Sequence, residues 1–425
     1  MPGTKKHKRN TLAILVGGGP APGINGVISA STIEAVNRGI DVIGIREGFR
    51  WLAEGDASHI EKLTIQNTSR IHNTGGSIIG ISRANPTSST ERMKNTIRGL
   101  AMLGVRYLIT IGGDGTMFLA SEVEKAGRGR IKVAHVPKTI DNNIPLPGYI
   151  PTFGFETARH IGTELVHYLM EDAKTTNRWF FVVTMGRKTG HLALGIGKAA
   201  GATITLIPEQ FGKRKISLGN ITAILEGSII KRLAAGREDG VAILAEGLTE
   251  KLDEEELKNL KDLSRDEFGR IRLSEVDLGQ LVKHETIKSL AEKGINARII
   301  DKTIGYELRS APPIPFDAKY TRDLGYSAVK YLLSGGSGAV ISIQTGRMIP
   351  IYFDEIIDPA LNQPRMRYVD IETESYEVAQ KYMIKLSEND LTDKKKLRAL
   401  AKAANMKPED FKKYFSGAVQ VQHRL

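Results

Sequence analysis

Short apolar runs recur along the chain at Thr11–Val16, Asp41–Ile45, Arg106–Ile111 and Lys132–Val136, and three of them run straight into Gly17, Gly112 and Pro137. Uninterrupted apolar runs of this length, closed by turn residues, predict strands buried on both faces. Between them, Ile24–Val36 carries helical spacing, and Ser88-Ser89-Thr90-Glu91 opens a second helix, as a capping box, that runs to about Leu103. This alternation predicts a mostly parallel sheet covered by helices on both faces. The pattern then restarts with a long helix, Phe155–Ala173, and an apolar strand, Arg178–Thr184. Later strands are predicted at Val241–Ala245, Ile299–Gly305 and Val340–Ile343. Glu250–Arg272 is charge-rich and reads as exposed helix and loop, and Glu372–Phe415 as a lysine-rich amphipathic helical region. No internal repeat and no low-complexity stretch interrupts this order.

Composition narrows the class. The chain has 425 residues, 41% hydrophobic and 25% charged, enough for two or three packed domains and wrong for a disordered or fibrous chain. No segment approaches the roughly 20 apolar residues of a spanning helix, and the basic start MPGTKKHKR leads into no signal-peptide core. A soluble cytoplasmic protein without membrane contact is expected. With no cysteine, disulfides, thiolate catalysis and Cys-ligated metals are excluded. The 60 Lys and Arg against 48 Asp and Glu leave a net charge of +12, which favours anionic ligands. Part of that excess lies in Lys5, Lys6, Lys8 and Arg9 and in Lys394–Lys396, read as solvated charges. The remaining basic residues are dispersed and aromatics are only 6%, so phosphorylated metabolites fit better than nucleic acid. His160 and His167 share a helix face and read as structural, not as metal ligands.

In parallel sheets ligands gather at the carboxyl ends of strands, so the turns there are the candidates for chemistry. Gly17-Gly18-Gly19-Pro20-Ala21-Pro22-Gly23 can bring backbone N–H groups to an anion at a helix start, or simply be a tight turn. It lacks the Gly-Lys-Ser/Thr of a P-loop, and Pro22 replaces the third glycine of a dinucleotide fingerprint. Gly112-Gly113-Asp114-Gly115-Thr116 sets a carboxylate among backbone donors, suited to Mg²⁺ bridging phosphates; the plainer account is a helix cap. In Pro137-Lys138-Thr139-Ile140-Asp141-Asn142-Asn143, Asp141 can accept a proton from an attacking alcohol, unless the segment is only an Asx-held turn. Arg187 of Met185-Gly186-Arg187 can neutralise phosphoryl oxygens, or be a surface ion-pair residue like Arg178. Glu246 suits sugar hydroxyls, and Tyr306 with Arg309 suits a sugar phosphate.

Taken in order, GGGPAPGIN, GISR, GGDGT, PKTIDNN, MGR, AEG and YELR resemble the phosphofructokinase family from about Leu12 to Gly346. The resemblance implies two facing α/β domains with mostly parallel sheets, a donor-binding domain of 11–153 plus about 319–370 and a sugar-phosphate domain of 154–318. Outside it, residues 1–10 read as a flexible polar tail and 371–425 as a helical C-terminal extension. The implied reaction is Mg²⁺-dependent phosphoryl transfer to the 1-hydroxyl of fructose 6-phosphate. On this resemblance Asp141 is the base, with Thr139, Lys138 and Arg187 beside it, and Asp114 is the metal-linked acid. Gly19, Arg83, Gly113, Gly115 and Thr116 line the donor phosphates. Met185, Gly186, Arg187, Glu246, Tyr306 and Arg309 hold the sugar phosphate. Arg178, seven residues before Met185, matches an arginine that the family lends to a neighbouring subunit, which implies a homo-oligomer, dimer or tetramer.

Two positions bear on the donor. Gly115 leaves room for a nucleotide, as in the family's ATP users, whereas Lys138 is the residue usual in pyrophosphate users. Asn143 stands where the family usually has Asp. Weighing the open space at Gly115 above Lys138, we expect an ATP-dependent 6-phosphofructokinase, with a reversible pyrophosphate-dependent enzyme as the alternative. Ser29 and Ile33 replace the effector arginines of the bacterial allosteric enzymes, so ADP or phosphoenolpyruvate control through that site is not expected. An NAD or lipid kinase shares the GGDG turn but would need neither MGR nor YELR, and a non-catalytic nucleotide- or nucleic-acid-binding module is disfavoured by the dispersed basic residues.

Overall fold

The computed structural model describes residues 10–253 and 276–423. The basic tail over residues 1–9 and the part of the charge-rich stretch from 254 to 272 lie outside the described residues. In chain order the strands of the two main sheets are β1 (Thr11–Val16), β2 (Asp41–Ile45), β3 (Ile60–Leu63), β4 (Val105–Gly112), β5 (Lys132–Pro137) and β6 (Trp179–Thr184). They continue with β7 (Ile204–Leu206), β8 (Gly240–Ala245), β9 (Ile299–Ile304), β10 (Ala339–Gln344) and β11 (Arg347–Tyr352). The chain forms two compact units, Met1–Ala158 with Tyr306–Arg367, and Arg159–Gly305 with Tyr368–Leu425. The return to the first unit therefore begins at Tyr306, ahead of the position near 319 read from the sequence.

The first unit is built on a sheet of order β11-β10-β5-β4-β1-β2-β3. Its centre is parallel, and β3 and β11 run antiparallel on the two edges. Side chains alternate between faces along each strand. Leu12, Ile14 and Val16 of β1 pack with Ile24, Ile28 and Leu324, whereas Ala13 and Leu15 pack on the other face with Leu100, Met117 and Val123. Both faces are thus core, which is why β1 reads as an unbroken apolar run. Register sets Val16 beside Ile111 and Ile111 beside Val136, so the carboxyl ends of β1, β4 and β5 lie level. The helix after the Asn85–Ser88 turn spans Thr90–Met102, and its cap is Ser89, which accepts the Arg92 N–H at 3.2 Å in place of a Ser88–Glu91 box. Edge strand β3 escaped the sequence pattern because only Leu63 of its four residues is buried.

The second unit has a wholly parallel sheet of order β7-β8-β6-β9. Its core takes in the C-terminal helices: Phe411, Phe415 and Val419 are buried in one cluster with Trp179, Phe181 and Leu244. A polar link fastens the last helix, Pro408–His423. Glu226, fully buried on Leu218–Ala234, accepts from Lys293 Nζ and from the Tyr414 hydroxyl, each at 3.0 Å, and the Lys293 ammonium lies 4.2 Å from the Tyr414 ring centroid. Among the described residues no helix is long and apolar enough to cross a membrane.

Lys293→Ala strands the buried Glu226 charge and is expected to destabilise the second unit by about 3 kcal/mol. Tyr414→Phe removes a single hydrogen bond and is expected to cost only about 1 kcal/mol. The shift in urea-unfolding midpoint distinguishes the two.

Candidate active site

Three strand ends converge in the first unit. After β1, Gly17 donates its N–H to the Ile111 carbonyl (2.9 Å), and Gly18 donates to the Ser82 carbonyl (2.9 Å). That second bond brings the neighbouring Arg83 to the glycine turn: a Cβ built on Gly19 would lie 3.3 Å from Arg309 Nη1 and 4.0 Å from Arg83 Nη2. Glycine at position 19 is what admits both guanidinium groups so close to the backbone. After β4, Gly113 is the N-cap of the helix Asp114–Gly127 and no side chain caps it. Asp114 is thus a half-buried first-turn carboxylate and not a capping group, with Thr116 buried behind it and Gly115 open to solvent. After β5, the Lys138 N–H donates to the Gly112 carbonyl at 2.7 Å.

The Lys138 side chain is 3% exposed, and its ammonium donates to the Gly19 carbonyl. Burial pushes this lysine down to about 8; the Asp141 and Asp114 carboxylates pull it back up, while the Arg309 and Arg83 charges push it further down. Three cations and two carboxylates therefore surround one glycine turn. The turn after Lys138 is held by side chains of two kinds. Thr139 Oγ1 accepts the Asp141 N–H (3.0 Å), and Asn142 Oδ1 accepts the Thr152 N–H (3.0 Å). Arg309 also stacks on the Tyr306 ring, 4.4 Å from its centroid.

Residues that motif reading passed over support this cluster. His135 is fully buried and desolvation pushes it down to about 3, so it is neutral at physiological pH. Its Nε2 lies 3.0 Å from the Gly112 carbonyl and its Nδ1 2.8 Å from Thr110 Oγ1. Only the tautomer with Nε2 protonated satisfies the carbonyl, so His135 steadies the same Gly112 that Lys138 engages. The lone polar ring in the apolar run Lys132–Val136 was its signal. Asn25 is buried at the start of helix Ile24–Asn37, donates to Thr74 Oγ1 (2.9 Å) and the Gly75 carbonyl (3.2 Å), and accepts the Ile78 N–H (3.0 Å). It thereby holds the loop that leads to Arg83. Arg367, from a segment without any recognised motif, reaches the turn after Asp141.

In the second unit, Met185, Gly186 and Arg187 follow β6. The Met185 N–H donates to the Ile304 carbonyl (3.1 Å), and Gly186, at φ 135° in a region that favours glycine, donates to Glu246 Oε2 (3.2 Å). Gly247 returns a bond to the Gly186 carbonyl (3.1 Å), so the expected Met185–Arg187 and Glu246 turns do meet, with Arg187 exposed. Arg178 does not join them. It lies at the opposite end of β6, with Nε 3.9 Å from Asp172 Oδ1.

Among the described residues no three His, Cys, Asp or Glu side chains converge on a metal position. Asp114, a half-buried carboxylate in the first helical turn after β4, has the chemistry to fit Mg²⁺ held largely by phosphate oxygens.

The sequence model of the phosphofructokinase family matches residues 11–332. A pyrophosphate–fructose 6-phosphate 1-phosphotransferase of Thermotoga maritima is 53% identical over 409 residues, covering 95% of this chain and 97% of that protein. One of the same name from Naegleria fowleri is 48% identical, covering 96% of each. In fold, the chain matches the crystal structure of a pyrophosphate-dependent phosphofructokinase from Marinobacter aquaeolei with a TM-score of 0.65 at 16% identity, over 88% of this chain and 91% of that one. These relatives overturn the expectation of an ATP-dependent enzyme. The physical error was one of weight. Space beside Gly115 is only permission, with nothing within 4 Å of a Cβ there, whereas Lys138 commits a buried cation to the glycine turn.

Because Lys138 titrates near 8 in the folded protein and near 10.5 when free, the unliganded protein gains stability as pH rises between those values; below 8 the buried charge is a penalty. Binding of an anion has the opposite sign. Sulfate, whose own charge is constant there, is expected to bind more weakly by up to about tenfold per pH unit above 8. In Lys138→Met the affinity is expected to be low without that break, as calorimetric titration would read.

Proposed function

The chain belongs to the phosphofructokinase family, in its long pyrophosphate-like branch, and on that premise we propose that it transfers a phosphoryl group reversibly between pyrophosphate and the 1-hydroxyl of fructose 6-phosphate. The products are fructose 1,6-bisphosphate and inorganic phosphate. The observation that carries this reading is the buried Lys138 ammonium at Gly19, flanked by Arg83 and Arg309. A nucleotide donor offers a base and ribose to grip; pyrophosphate offers only charged oxygens, and a cluster of cations and backbone amides answers that need.

In the forward direction Asp141 accepts the proton of the 1-hydroxyl, and that oxygen forms a bond to the near phosphorus of pyrophosphate. The bridging P–O bond breaks and inorganic phosphate leaves with the bonding electrons. Thr139, bonded to the Asp141 N–H, keeps the carboxylate aimed. Gly19, Arg83, Gly113, Gly115 and Thr116 line the donor, and Lys138 and Arg187 neutralise the oxygens of the phosphoryl group in transit. Mg²⁺ bound through Asp114 would screen the phosphate charge that otherwise repels the incoming oxygen. Positioning and charge neutralisation dominate such transfers, because little covalent work is left to the protein.

Met185, Gly186, Glu246, Tyr306 and Arg309 hold the sugar phosphate in this reading. Arg178 lies just before the six-residue strand β6 and Arg187 three residues past its last residue, so the strand alone sets them about 20 Å apart, which supports Arg178 serving the site of a second copy. The protein is then a cytoplasmic homo-oligomer, dimer or tetramer, acting in glycolysis. The first unit carries the donor turns together with Tyr306 and Arg309, and the second carries Met185, Gly186 and Glu246.

A coupled assay with fructose 6-phosphate, Mg²⁺ and each donor offered separately is expected to show turnover with pyrophosphate and none with ATP; the reverse pattern would reject the proposal. Asp141→Asn is expected to lower kcat by about 10²–10⁴-fold while calorimetry still detects fructose 6-phosphate binding.

A further inference from the structure

We propose that Arg367 is a positioning residue for Asp141, clamping the turn that carries the base; this deepens, and rests on, the reading of Asp141 given above. Arg367 lies beyond the residues matched by the family, 11–332, and no motif in the sequence marks it. Its side chain nevertheless reaches the segment immediately after Asp141. Nε donates to the Asn142 carbonyl at 2.9 Å, Nη2 donates to Asn142 Oδ1, and Nη1 donates to the Ile150 carbonyl at 2.8 Å. Its backbone N–H donates to the Asn143 carbonyl at 2.8 Å. One residue thus binds the turn at Asn142 and Asn143 and the returning limb of the same loop at Ile150.

The turn is held from both sides. Asn142 has φ 54°, a left-handed conformation that asparagine tolerates better than most residues, and side-chain bonds hold it there. Its Oδ1 already accepts the Thr152 N–H at 3.0 Å, and the Thr152 hydroxyl donates to the Thr139 carbonyl at 2.9 Å. Those bonds close the loop on itself; the Arg367 guanidinium closes it from the far end of the chain. The planar fork matters, since three N–H groups pointing in different directions meet acceptors on two segments at once, which a lysine ammonium cannot span. Burial also lowers the affinity of Arg367 for its proton, to about 10, in keeping with a guanidinium committed to these acceptors and withdrawn from water. A shift of the turn by about 1 Å would displace the Asp141 carboxylate from the hydroxyl that it must meet.

The test compares Arg367→Ala with the unaltered protein in steady-state assays with pyrophosphate, fructose 6-phosphate and Mg²⁺. In the folded variant kcat is expected to fall about 10- to 100-fold, with both KM values within about threefold. Arg367→Lys, which retains a cation without the fork, is expected to recover less than half of that loss, and it carries the same readout if the alanine variant does not fold. In an Asp141→Asn background, Arg367→Ala is expected to change kcat by less than about twofold, since two residues acting as one unit are not additive. A kcat within twofold of the unaltered protein, a rise in KM alone, or an equal fold-loss in both backgrounds would overturn the proposal. Full activity of Asp141→Asn by itself would instead reject the assignment of the base, a separate failure.

Discussion

An ammonium group taken out of water must find oxygen partners or lose its proton, and Lys138 organises the first unit around that requirement. Its side chain finds the Gly19 carbonyl after β1, and its backbone finds the Gly112 carbonyl at the end of β4, while the residue itself follows β5. One side chain and its own peptide therefore tie three strand ends together. The carboxylates of Asp114 and Asp141 offset part of the burial cost, and Arg83 and Arg309 add to it. The balance leaves a turn with more positive than negative charge, and a multivalent anion is what relieves it.

The two units solve the same problem with different groups. In the first, a neutral imidazole, His135, sits beneath the turn and satisfies the Gly112 carbonyl without adding charge. In the second, carboxylates do the work. Glu246 accepts the Gly186 N–H, and Glu209 accepts the N–H groups of Gly190 and Val369, with burial raising its proton affinity. These turns at the ends of parallel strands are thus held by polar side chains, which satisfy backbone atoms that would otherwise be left without partners.

The C-terminal third plays a larger structural part than an appended helix would. Phe411 and Phe415 complete the core of the second unit, and the buried Glu226–Lys293–Tyr414 link fixes the last helix there. Arg367 does the corresponding service for the turn after Asp141. Sequence reading had only amphipathic spacing to go on in this region, because its contacts lie far away along the chain.

The central strands and most of the site motifs were legible in the sequence because their physical demands are local. A strand buried on both faces must be almost wholly apolar, as β1 and β6 are, and a turn that admits guanidinium groups to its backbone must be glycine-rich. The edge strand β3 was not legible, since only Leu63 of its four residues is buried, and β11 carries Pro350, which a strand confined to the sheet's edge can hold but which argues against a strand in sequence. Local reading also weighed the open space at Gly115 above the charge of Lys138, an absence above a presence, and chose the wrong one. Only the fold shows that Lys138 is buried against Gly19, 119 residues away in the chain, and that Arg367 braces Asn142 across 225 residues. The chain's own order of residues determined which chemistry each turn carries. The tertiary structure decided which turns meet and what holds them, because burial and hydrogen bonding depend on neighbours in space that no spacing along the sequence encodes.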